Sequence, residues 1–406
     1  MDEIKQYLVD FQSRKFNTFE RELKLKPSRE FISSIIGARR TGKTYILFDR
    51  INRLKDRREA LYIDFDSPEF IDFDGRRLKE IINLHYQLYG KLKYVFFDEI
   101  QILANWQRGL KEIYEEKKYF IFITGSSSKL LSRELATELR GRAITYNLFP
   151  LSLREIIQRE NLTVTGERLD TEKKNKIIFH FNRYVDNGGY PQIFLEPRLK
   201  DSIVKDYKDL VLFRDVVERY GLKNLYVAKR FFEYLISSFS KEISVDKFYR
   251  YLKSQNIAIG KPTLYNYLEY FSDSLFFHFL PSQKSRDRIR KVYLNDGVFG
   301  GEEKGRRLEN LALVELLRRQ ESIYYFKDKF ECDFVIPKKE ALQICWELNS
   351  DNKDREVKGI LAAAKYYKIT KAKIITYNQE EAFLKDGVNI AVVPFWKWVL
   401  FNKFTP

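Results

Sequence analysis

The first part of the chain alternates short apolar runs with stretches of helical period. Runs at 31–36, 60–65, 93–97, 119–124 and 143–148 are nearly all apolar, which predicts strands buried on both faces. Between them, 44–57, 76–89, 106–117 and 128–139 carry apolar residues at helical spacing. Strand and helix in turn predict an α/β fold around a parallel sheet. Residues 1–30 are polar and charged, with Phe11, Phe16 and Phe19 loosely spaced, and read as a lead-in packed on the sheet domain.

Beyond Leu148 the pattern is mainly helical to about residue 235, broken by the turn Asn187-Gly188-Gly189-Tyr190-Pro191. This predicts a small helical lid. Residues 241–295 have the layout of a winged helix. A helix at 245–254 and a turn at 257–262 lead into a second helix at 263–271, with Pro262 well placed at its head. Strand-like segments follow at 276–280 and 292–294, and a further α/β segment starts near 305 with a helix at 307–317.

The predicted strand ends carry the chemistry. The first runs into Gly37-Ala38-Arg39-Arg40-Thr41-Gly42-Lys43-Thr44, which between a strand and a helix is a phosphate-binding loop. Gly37 and Gly42 let successive N–H groups point inward at phosphate oxygens, and the helix N-terminus adds partial positive charge. Lys43 is expected to reach the β- and γ-phosphates of ATP, and Thr44 to hold Mg²⁺. Ala38 and Thr41 complete the loop, and Arg39 and Arg40 are further candidates for anion contacts. The third strand ends Phe97-Asp98-Glu99. Asp98 is expected to act on Mg²⁺ through its water shell, and Glu99 to orient and deprotonate the attacking water. Thr124 and Ser126, at the end of the next strand, are expected to sense the γ-phosphate; the competing reading is a serine-rich turn capping a helix. Arg140 or Arg142 is expected to stabilise charge on the transferring group, in cis or across a subunit interface. The simpler alternative is a pair of solvated arginines around Gly141.

Composition adds a partner. The 406 residues carry a net charge of +16, which favours an anionic partner, DNA first. The candidate contacts are Lys261, Tyr265 and Asn266 at the head of the second helix. The basic stretch with Lys284, Arg286, Arg288, Arg290 and Lys291 supplies others. The competing reading is a solvated charge run joining two strands. Cys332 and Cys345 are the only cysteines, which excludes a disulfide scaffold and a cysteine-rich zinc site. His85, His180 and His278 stand far apart and read as packing. No signal peptide and no apolar run of membrane-spanning length is evident, so the expected location is cytoplasmic, with no membrane contact.

Near the C-terminus, Glu309 on a helix and Asp333 and Glu347 on adjacent strands are expected to gather around Mg²⁺, as in metal-dependent phosphodiester cleavage. Such a site needs a lysine two residues past Glu347, and Asn349 stands there. Lys353, Lys365 or Lys368 are candidate substitutes, but a degenerate, non-cleaving domain is the favoured reading.

Taken together, these motifs resemble a prokaryotic family of AAA-type ATPases with a C-terminal winged helix and a restriction-endonuclease-like domain. The match is carried by the phosphate loop, Phe97-Asp98-Glu99-Ile100-Gln101, Thr124-Gly125-Ser126-Ser127, Gly141-Arg142 with Phe149-Pro150-Leu151-Ser152, and Gly188-Gly189-Tyr190-Pro191. Lys291-Val292-Tyr293-Leu294-Asn295-Asp296 and Leu308-Glu309-Asn310 extend it over nearly the whole chain. The resemblance implies a P-loop ATPase domain at 1–150, a helical lid at 151–235, a winged helix at 236–300 and an endonuclease-like α/β domain at 301–406. The expected function is a Mg²⁺-dependent ATPase that binds DNA through its C-terminal half, able to form a homo-oligomer. The alternatives are an ATP-regulated metal-dependent nuclease and an ATP-driven switch assembling with protein partners.

Overall fold

The computed structural model describes residues 1–126, 141–162, 164, 166, 169–282 and 289–401. The chain falls into two compact units, Met1–Leu148 and Phe149–Pro406. In the first, helix α1 (Asp2–Ser13) is followed by β1 (Ile32–Ile36), α2 (Lys43–Asn52), β2 (Ala60–Asp64), α3 (Leu78–Tyr89), β3 (Tyr94–Asp98), α4 (Trp106–Glu115), β4 (Phe120–Gly125) and β5 (Ala143–Asn147). The sheet order is β2-β3-β4-β1-β5, and every pairing is parallel. All five carboxyl ends therefore share one edge, where ligands of open α/β sheets bind. Strands β1 to β4 are almost wholly buried, as their unbroken apolar runs require, whereas the edge strand β5 is largely exposed. The lead-in is helical: α1 buries Ile4, Tyr7, Leu8 and Phe11, Phe11 stacks on Tyr62, and Phe16 stacks on Phe48 at 3.7 Å.

The second unit opens with helices α5 (Leu153–Arg159), α6 (Thr171–Asn187), α7 (Lys200–Leu210) and α8 (Leu225–Ser237). Ser152 and Glu155 form a capping box at the start of α5, which fixes the point where the helical segment begins. A π-helical stretch, Val211–Glu218, continues α7. Next come β6 (Lys241–Ser244), α9 (Val245–Ser254), α10 (Lys261–Asp273), β7 (Phe277–Pro281) and β8 (Ile289–Leu294). The three strands form an antiparallel sheet in the order β6-β8-β7. A single apolar cluster runs from Tyr190 to Phe299, so α7 to α10 and the three strands share one core.

The remainder comprises α11 (Lys304–Arg318), β9 (Tyr324–Lys327), β10 (Glu331–Ile336), β11 (Glu340–Ile344), α12 (Ser350–Tyr367), β12 (Lys371–Thr376), β13 (Glu381–Lys385), β14 (Val388–Pro394) and α13 (Phe395–Phe401). Its six-stranded sheet, β13-β14-β12-β11-β10-β9, is mixed: β9, β10 and β11 run antiparallel, whereas β11, β12 and β14 run parallel. The protein is thus an α/β molecule, with a P-loop NTPase sheet first and an additional C-terminal α/β sheet.

Several short motifs prove to be tie points inside the second unit. The Asp296 carboxylate accepts the Gly189 amide at 2.6 Å, and Asn295 Nδ2 donates to the Tyr190 hydroxyl at 3.2 Å. The Asn310 side chain pairs with both the N–H and the C=O of Leu294, at 2.8 and 2.9 Å, like a neighbouring strand. Among the described residues, no helix is long and apolar enough to cross a membrane.

Candidate functional site

The carboxyl edge of the first sheet gathers the predicted nucleotide residues. After β1 the chain turns through Gly37 to Gly42 before α2. Two close constraints explain the glycines. A Cβ on Gly37 would stand 2.4 Å from the Leu148 carbonyl oxygen, and Gly42 has φ of 100°, a region that favours glycine. Thr41 is fully buried and its hydroxyl donates to Ala38 O at 2.8 Å, closing the loop on itself. From outside, the Arg21 guanidinium donates to Thr41 O at 2.9 Å. Arg39 is half-buried and Arg40 exposed.

Lys43 is buried with its ammonium inside this loop, donating to Gly37 O at 3.2 Å and lying 3.3 Å from Glu99 Oε1. Glu99 follows β3 directly, with φ of 50°. Burial pushes its carboxyl up, but Lys43, Gln101 and Arg39 together outweigh that and hold it below the ordinary range. Gln101 Nε2 donates to the other oxygen, Oε2, at 2.6 Å. Thr124 is shared: its oxygen accepts the Glu99 amide at 2.9 Å while its hydroxyl donates to Asp98 Oδ1. One residue of β4 thus fixes both acids. Ser126 is buried just beyond it.

Asp98 is fully buried, with Oδ2 accepting the Tyr62 hydroxyl at 2.9 Å. Burial and then the Glu99 charge push its carboxyl up, against hydrogen bonds from Thr124, Thr44 and Tyr62. Asp64, its partner in β2, is pushed up to about 6 by burial and by Asp98. Carboxylates raised in this way are those a cation would stabilise. The oxygen donors, the Thr44 hydroxyl and the Asp98 carboxylate, suit a hard ion such as Mg²⁺. Arg21, Tyr62 and Asp64 escape sequence reasoning, and Gln101 is given no role there. Only Gln101, two residues past Glu99, offered a local signal.

The arginine expectation needs correcting. Arg142 precedes β5, and its carbonyl accepts the Ile32 amide at the start of β1. It lies at the amino edge of the sheet, roughly 16 Å of strand away from the phosphate loop, with its guanidinium 5.7 Å over the Tyr114 ring. It cannot reach a γ-phosphate bound to its own chain. Arg140 lies outside the described residues.

In the second unit Asn266 is exposed and Arg290 half-buried. Lys261 is paired with Asp246 at 2.7 Å, and Tyr265 packs against the core rather than presenting its ring outward. Lys284, Arg286 and Arg288 lie outside the described residues. Lys291 is no surface cation: it is buried, between Glu309, Asp333 and Glu331. The expected metal triad is also corrected. Glu309 and Asp333 do meet, but around that lysine. Glu347 lies past the end of β11, where its carbonyl accepts Asn352 Nδ2 at 2.7 Å. The β11 residue beside Asp333 is Gln343, whose Oε1 accepts the Asp333 amide at 3.2 Å. Asn349 caps α12. Among the described residues, no group of three or more His, Cys, Asp or Glu side chains is arranged to hold a metal ion. His278 is half-buried, with Nε2 3.2 Å from Asn295 Oδ1.

Comparison with known proteins agrees with the first site. A family described as an AAA domain matches residues 29–157, and a domain of unknown function (DUF8612) matches 178–297. A Haemophilus influenzae protein described as uncharacterized is 26% identical, covering 90% of this chain and 94% of its own. Among solved structures, the Aeropyrum pernix ORC1 protein in complex with DNA overlaps 79% of this chain and 94% of its own, at 13% identity and a TM-score of 0.33. So loose a superposition carries no argument. Uncharacterized protein MJ1544 of Methanocaldococcus jannaschii is 38% identical over 96% of this chain and 92% of its own length. The chain belongs to the family of that archaeal protein, and its first unit is an AAA-type, nucleotide-binding ATPase domain.

Proposed function

We propose that the protein is a Mg²⁺-dependent ATPase that binds DNA through its second unit. The observation that carries the reading is the convergence of Lys43, Thr44, Asp98 and Glu99 at one sheet edge, with Thr124 bonded to both acids. The loop amides and the α2 N-terminus receive the phosphates of ATP. Lys43 then exchanges the loop carbonyls and Glu99 for β- and γ-phosphate oxygens. Losing that ammonium removes the chief influence depressing Glu99, and burial raises its carboxyl toward the range of an effective base. Glu99, aimed by Gln101 and by the Thr124 bond to its amide, takes a proton from the attacking water. The Thr44 hydroxyl and Asp98 would hold Mg²⁺, which would neutralise charge on the phosphates. An arginine at the γ-phosphate has to come from a second copy if it is Arg142, which favours a homo-oligomer.

For DNA, the support is the net charge of +16 and the α9-α10-β7-β8 order of a winged helix. Helix α9 adds exposed Lys247, Arg250 and Lys253. The α11-β9-β10-β11-α12-β12 order supports the endonuclease-like reading of the last module. The experiment measures ATP turnover and DNA binding of wild type and of the Lys247→Ala/Arg250→Ala/Lys253→Ala variant across salt. Wild type should bind duplex DNA and change its turnover when it does. The variant should bind more weakly, with a salt slope shallower by about 0.9 for each phosphate it no longer neutralises. Turnover indifferent to DNA, with no binding at low salt, refutes the DNA half of the reading and leaves the ATPase half standing.

A further inference from the structure

In the second unit, three carboxylates converge on a single ammonium. Lys291, on β8, has a side chain 3% exposed, and its Nζ lies 3.1 Å from Glu309 Oε1, 2.9 Å from Asp333 Oδ1 and 2.7 Å from Glu331 Oε1. The ammonium donates hydrogen bonds to Glu309 and Asp333 and forms an ion pair with Glu331. The acids are otherwise engaged too. Glu309 Oε1 also accepts the Tyr293 hydroxyl at 2.7 Å, and Asp333 Oδ2 accepts the Ile344 amide at 2.9 Å.

Charge, neighbours and access point the same way. A divalent ion would need the Glu309 and Asp333 oxygens at about 2.1 Å, beside an ammonium already within 3.1 Å of both. The β11 residue beside Asp333 is neutral: Gln343 Nε2 donates to Glu356 at 2.6 Å. Cys345, two residues on, has a thiol that burial pushes up to about 12, leaving it neither base nor nucleophile. The Asp333 and Glu309 side chains are 8% and 12% exposed, too enclosed for a phosphodiester to approach. Glu331, 33% exposed and shared with Lys327 at 3.3 Å, is the most open of the three.

We propose that Lys291 is the resident cation of this cluster. It sits between Glu309 and Asp333, two of the three carboxylates expected to gather around Mg²⁺. The C-terminal α/β module therefore neither binds Mg²⁺ nor cleaves phosphodiesters, and the ammonium instead fastens β8 to α11 and β10. The inference rests on the endonuclease-like reading of the module and is independent of the ATP site.

The test titrates full-length, nucleotide-free protein with Mn²⁺, following the free ion by electron paramagnetic resonance, and scores the same samples for plasmid nicking. Wild type and Asp333→Asn should take up equal Mn²⁺, and neither should nick. Lys291→Ala should take up one further ion per chain, with a rise in Tm, and both effects should vanish in Lys291→Ala/Asp333→Asn. Wild-type uptake at least tenfold tighter than that of Asp333→Asn overturns the proposal. So does nicking by wild type that Lys291→Ala or Asp333→Asn abolishes, since the lysine would then be working beside a metal. A folded Lys291→Ala that takes up no further ion also overturns it. If Lys291→Ala does not fold, wild type against Asp333→Asn decides alone: equal uptake without nicking supports the proposal.

Discussion

In the proposed mechanism, turnover depends on Glu99. Replaced by Gln, it keeps its shape and loses its proton affinity, while Lys43 is released from its ion pair at 3.3 Å. Glu99→Gln should bind ATP at least as well as wild type and hydrolyse it roughly 10²–10⁴-fold more slowly, as single-turnover assays would measure; unchanged hydrolysis would remove Glu99 from the base role. A second residue sets a pH dependence. Burial pushes Asp296 up to about 6, from 3.8, despite amide bonds from Val298 and Gly189. The folded chain therefore holds that proton more tightly than the unfolded one. Its contribution to stability is full below about pH 4 and is lost as pH rises to about 6, a change of about 3 kcal/mol. In Asp296→Asn, the unfolding free energy should lack that fall between pH 4 and 6. The phosphate loop was legible in the sequence because phosphate binding dictates the residue types at Gly37, Gly42, Lys43 and Thr44. Glu347 misled because a side chain's place depends on where its strand ends, and β11 stops at Ile344. Lys291 misled for a related reason: a lysine in a basic run looks solvated until the fold sets acids around it.

At the scale of elements, strands were read more reliably than helices. Every buried strand of the first sheet falls within one residue of its apolar run, because two buried faces leave no polar position. Helix α2 stops at Asn52, short of the expected 57, since Asp56 accepts the Arg58 amide and starts a separate turn. β6 was missed: four residues at a sheet edge, Lys-Glu-Ile-Ser, bury only Ile243 and carry too little pattern. The position of Arg142 was, by contrast, deducible, for a residue leading into a parallel strand sits opposite the edge where phosphate loops lie. Packing between elements yields its own prediction. A Cβ on Gly359 would stand 2.0 Å from Glu331 O, where α12 crosses β10. Gly359→Ala should push the helix off the sheet and destabilise the second unit by about 1–3 kcal/mol, read from denaturant midpoints, with ATP affinity of the first unit unchanged.

At the scale of the molecule, two units divide the work: one gathers a nucleotide site at a sheet edge, the other carries the basic helices and the lysine-centred acid cluster. The strand-helix alternation of the sequence ends near Leu148, the last residue of the first unit. The joining of the later segments around one apolar core, from Tyr190 to Phe299, was not legible there, because aromatic residues spread through helices do not announce which partners they share. The account stands on nucleotide binding, and calorimetric titration of ATP with Mg²⁺ into wild type and Lys43→Ala tests that most directly. Wild type should bind one ATP per chain, and Lys43→Ala should bind roughly 10- to 100-fold more weakly, as expected when a charge-assisted hydrogen bond to phosphate is removed. No ATP binding by folded wild type, or equal binding by the two proteins, would contradict it.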